Sequence, residues 1–484
     1  MKSKINKNNL AHTTNGAAAY KSTLSANVDL FASDWRITKF AKQPSNQRKI
    51  LNLEAALNKA FQEDMQVAFY NLLYLIDVRH GKGENGATKV AIRYLNNRFP
   101  NLLIKYLKPI IDLCRWDRLL NQWQDLNPDV QRALLMLIKA NETDALMFKW
   151  MPSINASNAK RRANAKLIAN ALGMNHQQYR QFVSKGRQQA DLVERLISTK
   201  NWKAINIKQM PKRALLKYRK ALNEKNPLAY QDYLASLKNQ PVNLETVNPV
   251  EILKTALTNI PEDVVLANRW WEQLQINVPN ALVVCDVSGS MSTRVGQNTR
   301  AIEVAAALSL LVAKHNCEPL KNKIMIFSDD SEIRQITESQ IEKAYLQLLG
   351  DRPVANTNFE SVFLTLYNLQ MVDSKNKIDK IICFSDMQFD EQVGTSQTIW
   401  NKWKDKFTKA NLDFPQVIFW NIDAKSKTFP VTINDLGVLC MSGYSQHLLD
   451  LFSNDFQGTF DLKKQMLDLL LANYQDRFKI EKLD

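Results

Sequence analysis

The sequence predicts a multidomain protein in which an all-α, HEAT-like helical solenoid precedes a doubly wound, Rossmann-like α/β domain. Three observations point there. From about Leu51 to about Asn259, apolar residues recur at helical spacing with no strand pattern between them. After Asn277, short apolar runs of strand length alternate with amphipathic helices. Charge changes sign between the same regions. Residues 1–280 hold 42 Lys and Arg against 22 Asp and Glu, a net of +20, whereas residues 281–484 hold 22 against 26, a net of −4. The expected organisation is a polar N-terminal arm over 1–45, a basic helical-repeat domain over 46–276 and an α/β domain over 277–484.

The arm is polar and irregular, with Thr13, Thr14, Asn15, Gly16, Ser22 and Thr23, and is expected to lie outside the core. The first helix shows in Leu57, Phe61, Met65, Ala68, Leu72 and Ile76, which recur every three or four residues, with Asn52 placed to cap its start. The run from His80 to Glu84, polar and glycine-bearing, ends it. Further helices are expected at about 86–97, 101–113, 127–140, 160–172, 188–198, 211–223, 227–237 and 248–259. Short loops between them suit packed antiparallel helices, although no clean sequence repeat is present.

In the second region the strand candidates are Ala281–Asp286, Lys323–Ser328, Lys380–Ser385, Gln416–Asn421 and Gly437–Met441. Helices are expected between them at about 299–315, 338–349, 358–370 and 395–410, and after them at 445–453 and 461–475. Such alternation gives a parallel sheet whose ligands bind at the carboxyl ends of the strands.

The composition, 45% hydrophobic and 23% charged over 484 residues, is that of a globular chain. Of the five cysteines, Cys285, Cys383 and Cys440 fall inside apolar strand candidates, and no CxxC pair joins them with Cys114 or Cys317. They read as small hydrophobes in a reducing compartment rather than zinc ligands. The N-terminus lacks the apolar core of a secretory signal, and the longest apolar stretch, Ala305–Ala313, is far short of the roughly 20 residues that span a bilayer. A cytoplasmic or nuclear location without membrane partners is expected.

The first strand candidate ends in Asp286-Val287-Ser288-Gly289-Ser290. Alternate residues of an extended turn point to one side, so Asp286, Ser288 and Ser290 can converge on a point. Oxygen donors there suit a hard divalent cation such as Mg²⁺. Thr357, in a loop before a helix, and Asp386, at the end of the third strand, belong to the same sheet edge and supply two more oxygens. Asp390 and Glu391 follow nearby and read as solvated or as supports to the ligands. No base or nucleophile accompanies the carboxylates, so the domain is expected not to be an enzyme.

These residues resemble the metal-ion-dependent adhesion site of von Willebrand factor A domains. The resemblance implies that Ser288, Ser290 and Thr357 coordinate the ion, that Asp286 and Asp386 hold it directly or through water, and that a sixth position takes a carboxylate of a protein partner.

The helical region carries the basic charge. Residues 151–250 have 18 basic and 5 acidic residues, a net of +13. Arg213, Lys217 and Lys220 share one face of a helix that begins after Pro211, flanked by Lys212 and Arg219. Lys160, Arg161, Arg162 and Lys166 form a second cluster. Such faces suit phosphate contacts with RNA that carry affinity without sequence readout, and the interleaved Trp202, Tyr218, Tyr230 and Tyr233 include candidates for stacking on bases.

The order of the two parts also resembles the TROVE module of the Ro ribonucleoproteins, and more closely a TROVE-like family of plants, bacteria and phages. The matching pieces are Asn15-Gly16-Ala17 with Asp29-Leu30-Phe31, Asp77 to Glu84, Lys149 to Ser153, Lys217 to Leu222, Val284 to Met291, Phe384 to Met387 and Met441-Ser442-Gly443. In Ro-type proteins helical repeats form a ring closed by the A domain and bind small non-coding RNAs and ends of misfolded RNAs. The resemblance therefore implies a non-catalytic RNA-binding scaffold whose metal site binds a protein carboxylate. Two other readings compete with it: a protein-interaction adaptor that binds no RNA, and, last, a metal-dependent hydrolase.

Overall fold

The computed structural model describes residues 9–37, 44–190, 192–276, 281–296, 298–350, 357–389, 398–423, 428–444 and 459–480. The chain opens with β1 (Leu10–His12), β2 (Ala18–Tyr20), α1 (Ala26–Ala32), α2 (Pro44–Glu63), α3 (Met65–Ile76) and α4 (Asn85–Arg98). There follow α5 (Pro100–Lys105), α6 (Leu107–Cys114), α7 (Asp117–Leu120), α8 (Pro128–Ala140), α9 (Ala145–Trp150), α10 (Ala159–Ala171) and α11 (His176–Gln189). Next come α12 (Val193–Ser198), α13 (Lys212–Lys225), α14 (Pro227–Ser236), α15 (Pro249–Ala256) and α16 (Pro261–Gln273). The second half contains β3 (Leu282–Asp286), α17 (Ala301–His315), β4 (Lys323–Phe327), β5 (Ser331–Gln335), α18 (Ile341–Leu349) and α19 (Glu360–Val372). It closes with β6 (Lys380–Ser385), α20 (Ile399–Lys409), β7 (Gln416–Asn421), β8 (Val438–Ser442) and α21 (Leu462–Tyr474). An all-helical stretch thus precedes an α/β stretch, as the periodicities require.

Packing divides the chain into two units: 1–38, 56–71 and 237–473 form one, and 39–55, 72–236 and 474–484 the other. The first unit is built on a six-stranded sheet in the order β5-β4-β3-β6-β7-β8, parallel except for the β4–β5 pair. From β3 the chain moves to one side, through β4 and β5, and later returns to β6 on the other side of β3. The crevice between the carboxyl ends of β3 and β6 is therefore the topological switch point, where open α/β sheets place their ligands. β3 reads as an unbroken apolar run because both of its faces are covered. The apolar middle of α17, Val304 to Ala313, is likewise buried throughout. Glu303 starts that helix by accepting the N–H of Arg300 at 3.0 Å, and Lys314 and His315 lie at the negative end of its dipole.

The expected arm is corrected by the structure. Residues 9–36 pack against the α/β unit, with Ala17, Ala19, Val28, Leu30 and Phe31 buried. Tyr20 exchanges both backbone hydrogen bonds with Phe429, at 2.8 and 2.9 Å. Ser22 and Thr23 donate to Asp29, whose carboxyl is raised by burial, and Ser25 donates to Glu63 at 2.6 Å. The polar residues that suggest an exposed arm satisfy one another inside the fold.

The expected boundary near 277 also differs from the packing. α15 and α16 belong to the α/β unit, because Ile252, Leu253 and Ala256 bury their stripe against α16 and α17. Lys314 Nζ donates to Trp271 O at 2.6 Å, and Asn268 exchanges bonds with Ile341 N and Glu342. Asn52 caps nothing: α2 runs through it from Pro44, and the long stripe is two helices parted at Asp64, which accepts from Val67 N. The helix expected at 445–453 lies outside the described residues.

In the helical unit, successive elements pack on near neighbours in sequence, α4 on α5, α5 on α8, α9 on α11, α10 on α11 and α13 on α14. This is solenoid-like packing. Gly186 lets α11 approach α9 closely, since a Cβ there would sit 2.3 Å from the ring of Phe148.

Phe31 is 4% exposed. Phe31→Ala should therefore lower stability in a denaturant melt by about 3–5 kcal/mol. An effect within about 0.5 kcal/mol, as for a surface position, would restore the reading of a free arm.

Candidate metal centre and basic face

The end of β3 delivers Asp286 to the switch point with its side chain fully buried. One carboxylate oxygen accepts the N–H of Ser288 at 2.9 Å, and the other accepts Ser385 Oγ at 2.6 Å. Ser288 Oγ and Ser290 Oγ lie 3.1 Å apart. Asp386, 1% exposed, follows the end of β6 and is close enough to act on Asp286 by direct charge repulsion. Its Oδ1 accepts the N–H of Gln388 at 3.1 Å. Thr357, 2% exposed, sits at the end of β4, where the next residue, Asn358, donates its N–H to Ser328 O at 2.9 Å. The fold thus carries all five expected ligands to one edge of the sheet. Asp390 and Glu391 lie outside the described residues.

Burial first, and the facing Asp386 second, push Asp286 up to about 7 from an ordinary 3.8. Two acids buried in one crevice raise the cost of ionising both, a cost that a proton or a bound cation would relieve, and the donors around them are hydroxyl and carboxylate oxygens. Among the described residues no three His, Cys, Asp or Glu side chains converge on one point. The centre has two carboxylates, and its other donors are hydroxyls. This set fits a hard cation such as Mg²⁺ that retains water ligands.

Sequence reasoning missed the supports. Ser385 holds Asp286, and a clamp from the N-terminal segment holds the loop after Asp386. Thr13 Oγ1 donates to Phe389 O at 2.5 Å, Asn15 Nδ2 to Gln388 O at 2.7 Å, and Thr14 N to Gln388 Oε1 at 3.1 Å. Phe389 stacks on Phe359, two residues after Thr357, with centroids 4.8 Å apart. The hydroxyls in the motif at 13–14 and the Ser before Asp386 were the signals available.

On α13, Arg213, Lys217 and Lys220 are exposed, as the helical spacing requires. Lys217 lies 4.7 Å from the ring of Tyr218. Lys212 is half-buried over Tyr233, which lowers its pKa, and Arg219 turns back to donate to Leu216 O. In the other cluster, Lys160 pairs with Asp125 at 2.6 Å, and Arg162 donates to the carbonyls of Ala156 and Ser157. Arg161 and Lys166 are exposed. Tyr230 and Tyr233 are buried and belong to the core, which removes them as stacking platforms.

Fold and site together define the class: an all-helical basic unit joined to a mostly parallel α/β unit with a carboxylate–hydroxyl centre at its switch point. Residues 280–481 match the model of a family described as a domain of unknown function, DUF7788. The chain is 26% identical to the uncharacterized protein L728 of Acanthamoeba polyphaga mimivirus over 512 aligned residues, covering 92% of this chain and 85% of that one. Among solved structures it is similar to the crystal structure of the Ro (RSR) protein of Deinococcus radiodurans, with TM-score 0.40, 14% identity and coverage of 84% of this chain and 90% of that one.

An acid whose pKa rises on folding favours the native state while protonated. That contribution is complete below the unfolded value and is lost as pH rises through the folded one. In chelator, Asp286→Asn should therefore gain stability relative to the parent protein as pH rises from about 4 to about 7. Melting temperatures that run parallel across this range would contradict the buried acid pair.

Proposed function

We propose that the protein is a non-catalytic RNA-binding scaffold, with a basic helical unit for RNA and a metal-centred α/β unit for the carboxylate of a protein partner. One observation carries the RNA half. Residues 72–236 of the helical unit hold 29 Lys and Arg against 12 Asp and Glu, a net of +17. Charge of this density on one unit suits a polyanion, and Arg161, Lys166, Arg213, Lys217 and Lys220 lie at exposed positions where phosphates could approach.

The metal half rests on the donor set. Ser288, Ser290 and Thr357 would offer hydroxyls to the cation, and Asp286 and Asp386 would neutralise it. When bound, the ion would supply a Lewis-acidic position for an incoming carboxylate, as in the adhesion sites that this constellation resembles. Ser385 fixes the orientation of Asp286, and the clamp on Gln388 fixes the turn behind Asp386. The carboxylates of Asp286 and Asp386 accept hydrogen bonds from Ser288 N, Ser385 Oγ and Gln388 N, which favours a holding role over that of a general base. Among the described residues no helix is long and apolar enough to cross a membrane. A cytoplasmic location suits the RNA reading and the unpaired cysteines.

Two measurements separate the halves. Mg²⁺ at a hundredfold excess over Kd should stabilise the wild type by about 2.7 kcal/mol and leave Asp286→Ala unmoved. In filter binding, log K for single-stranded RNA should fall with log salt by about 0.7 per phosphate contact, with Asp286→Ala close to wild type. Retention of neither single-stranded nor structured RNA at low salt would favour the adaptor reading, and equal Mg²⁺ shifts in both proteins would remove the metal site.

A further inference from the structure

The helical unit brings together cations that are far apart in sequence. At their centre is Asp117, the first residue of α7, 7% exposed. Arg115 Nε lies 3.2 Å and Arg118 Nη1 3.3 Å from its carboxylate. Lys89 reaches the same carboxylate electrostatically from α4, which packs on α7, and Arg161 does so from α10. Arg161 in turn bears on Arg187 of α11. Asp117 carries one negative charge and so offsets only part of the charge of five cations, Lys89, Arg115, Arg118, Arg161 and Arg187.

How the cations are held matters as much as their number. Arg187 donates to Phe148 O at 3.0 Å and to Met151 O at 2.7 Å. Arg161 Nε donates to Asn121 Oδ1 at 3.2 Å, and Asn164, one turn on, donates to Asn121 O at 2.8 Å and so fixes α10 on that turn. These acceptors are neutral: they order the guanidinium groups without cancelling their charge. The acids on adjoining turns are already engaged, Asp125 by Lys160 and Asp144 by Trp116 Nε1 at 3.0 Å. A rigid excess of positive charge gives up little side-chain entropy when it meets an anion.

The cluster also has an aromatic floor. Arg115 lies 4.6 Å, and Lys149, which pairs with Glu194 at 3.0 Å, lies 5.8 Å from the ring of the half-buried Trp150. Fixed cations around an indole form the pairing that single-stranded nucleic acid uses, phosphates on the cations and a base on the π-face. A protein carboxylate would need only the charge, and a regular duplex would not present an unstacked base to the ring.

We propose that Lys89, Arg115, Arg161 and Arg187 around Trp150 form a single-stranded RNA site, with the cations on successive phosphates and a base stacked at Trp150. The proposal rests on the RNA-binding reading above and adds to it the place and the strandedness.

The test is fluorescence anisotropy on the full chain with a short labelled single-stranded RNA and its duplex. Lys89→Gln/Arg161→Gln, both at exposed positions, should weaken single-strand binding on the order of tenfold and make the salt slope shallower by about 1.4. Trp150→Leu should weaken the single strand on the order of tenfold and leave the duplex as it was. Melting curves check that each variant is folded, and the double variant stands alone if Trp150→Leu is not. Wild-type binding that the double variant leaves unchanged overturns the site and keeps the RNA reading. Equal loss of single strand and duplex in Trp150→Leu overturns the stacking. Failure of the wild type to bind any RNA overturns both readings together.

Discussion

The α/β unit depends on one constraint, the burial of two carboxylates in a crevice that a parallel sheet leaves between β3 and β6. Asp286 has nowhere to go: the strand that carries it is covered on both faces, and its side chain is fully enclosed. Everything around it can be read as accommodation of that charge. Ser288 and Ser385 supply hydrogen bonds, which lower the carboxyl's pKa but do not outweigh burial and Asp386. The loop behind Asp386 is tied down by residues 13–15, which turns an apparent N-terminal arm into part of the site. A sheet alone would present the two acids; the clamp keeps them facing one place.

The helical unit handles charge by the opposite device. Its acids are few, and several arginines are ordered by carbonyl and amide oxygens rather than by carboxylates. The net charge is therefore kept and positioned. The unit thus keeps a net positive charge beyond what its ion pairs cancel, and that retention of charge is informative about an external anion.

The two halves were unequally legible in the sequence. β3, β4, β6, β7 and β8 could be read within a residue or so, because strands covered on both faces have no polar alternation to obscure them. β5 could not, since Ser331-Glu332-Ile333-Arg334-Gln335 is a half-exposed edge with one large apolar residue. The metal candidates were legible because their spacing is local, and topology alone carries Thr357 and Asp386 to the same edge. The N-terminal segment misled because Thr13, Ser22, Thr23 and Ser25 look solvated in sequence and are satisfied by tertiary partners. α15 and α16 misled because a stripe of helical period does not say which neighbour covers it. The Asp117 cluster was not legible at all. Lys89, Arg161 and Arg187 sit on three helices and Arg115 in the turn between α6 and α7, where it takes a φ of +93°, a local geometry that no composition signals.

The central claim is that the positive charge serves RNA. The most direct measurement is the ratio of absorbance at 260 to 280 nm of the protein purified at low salt, before and after ribonuclease. The account predicts an excess at 260 nm that ribonuclease removes. A ratio equal to that of bare protein, unchanged by ribonuclease, would contradict it.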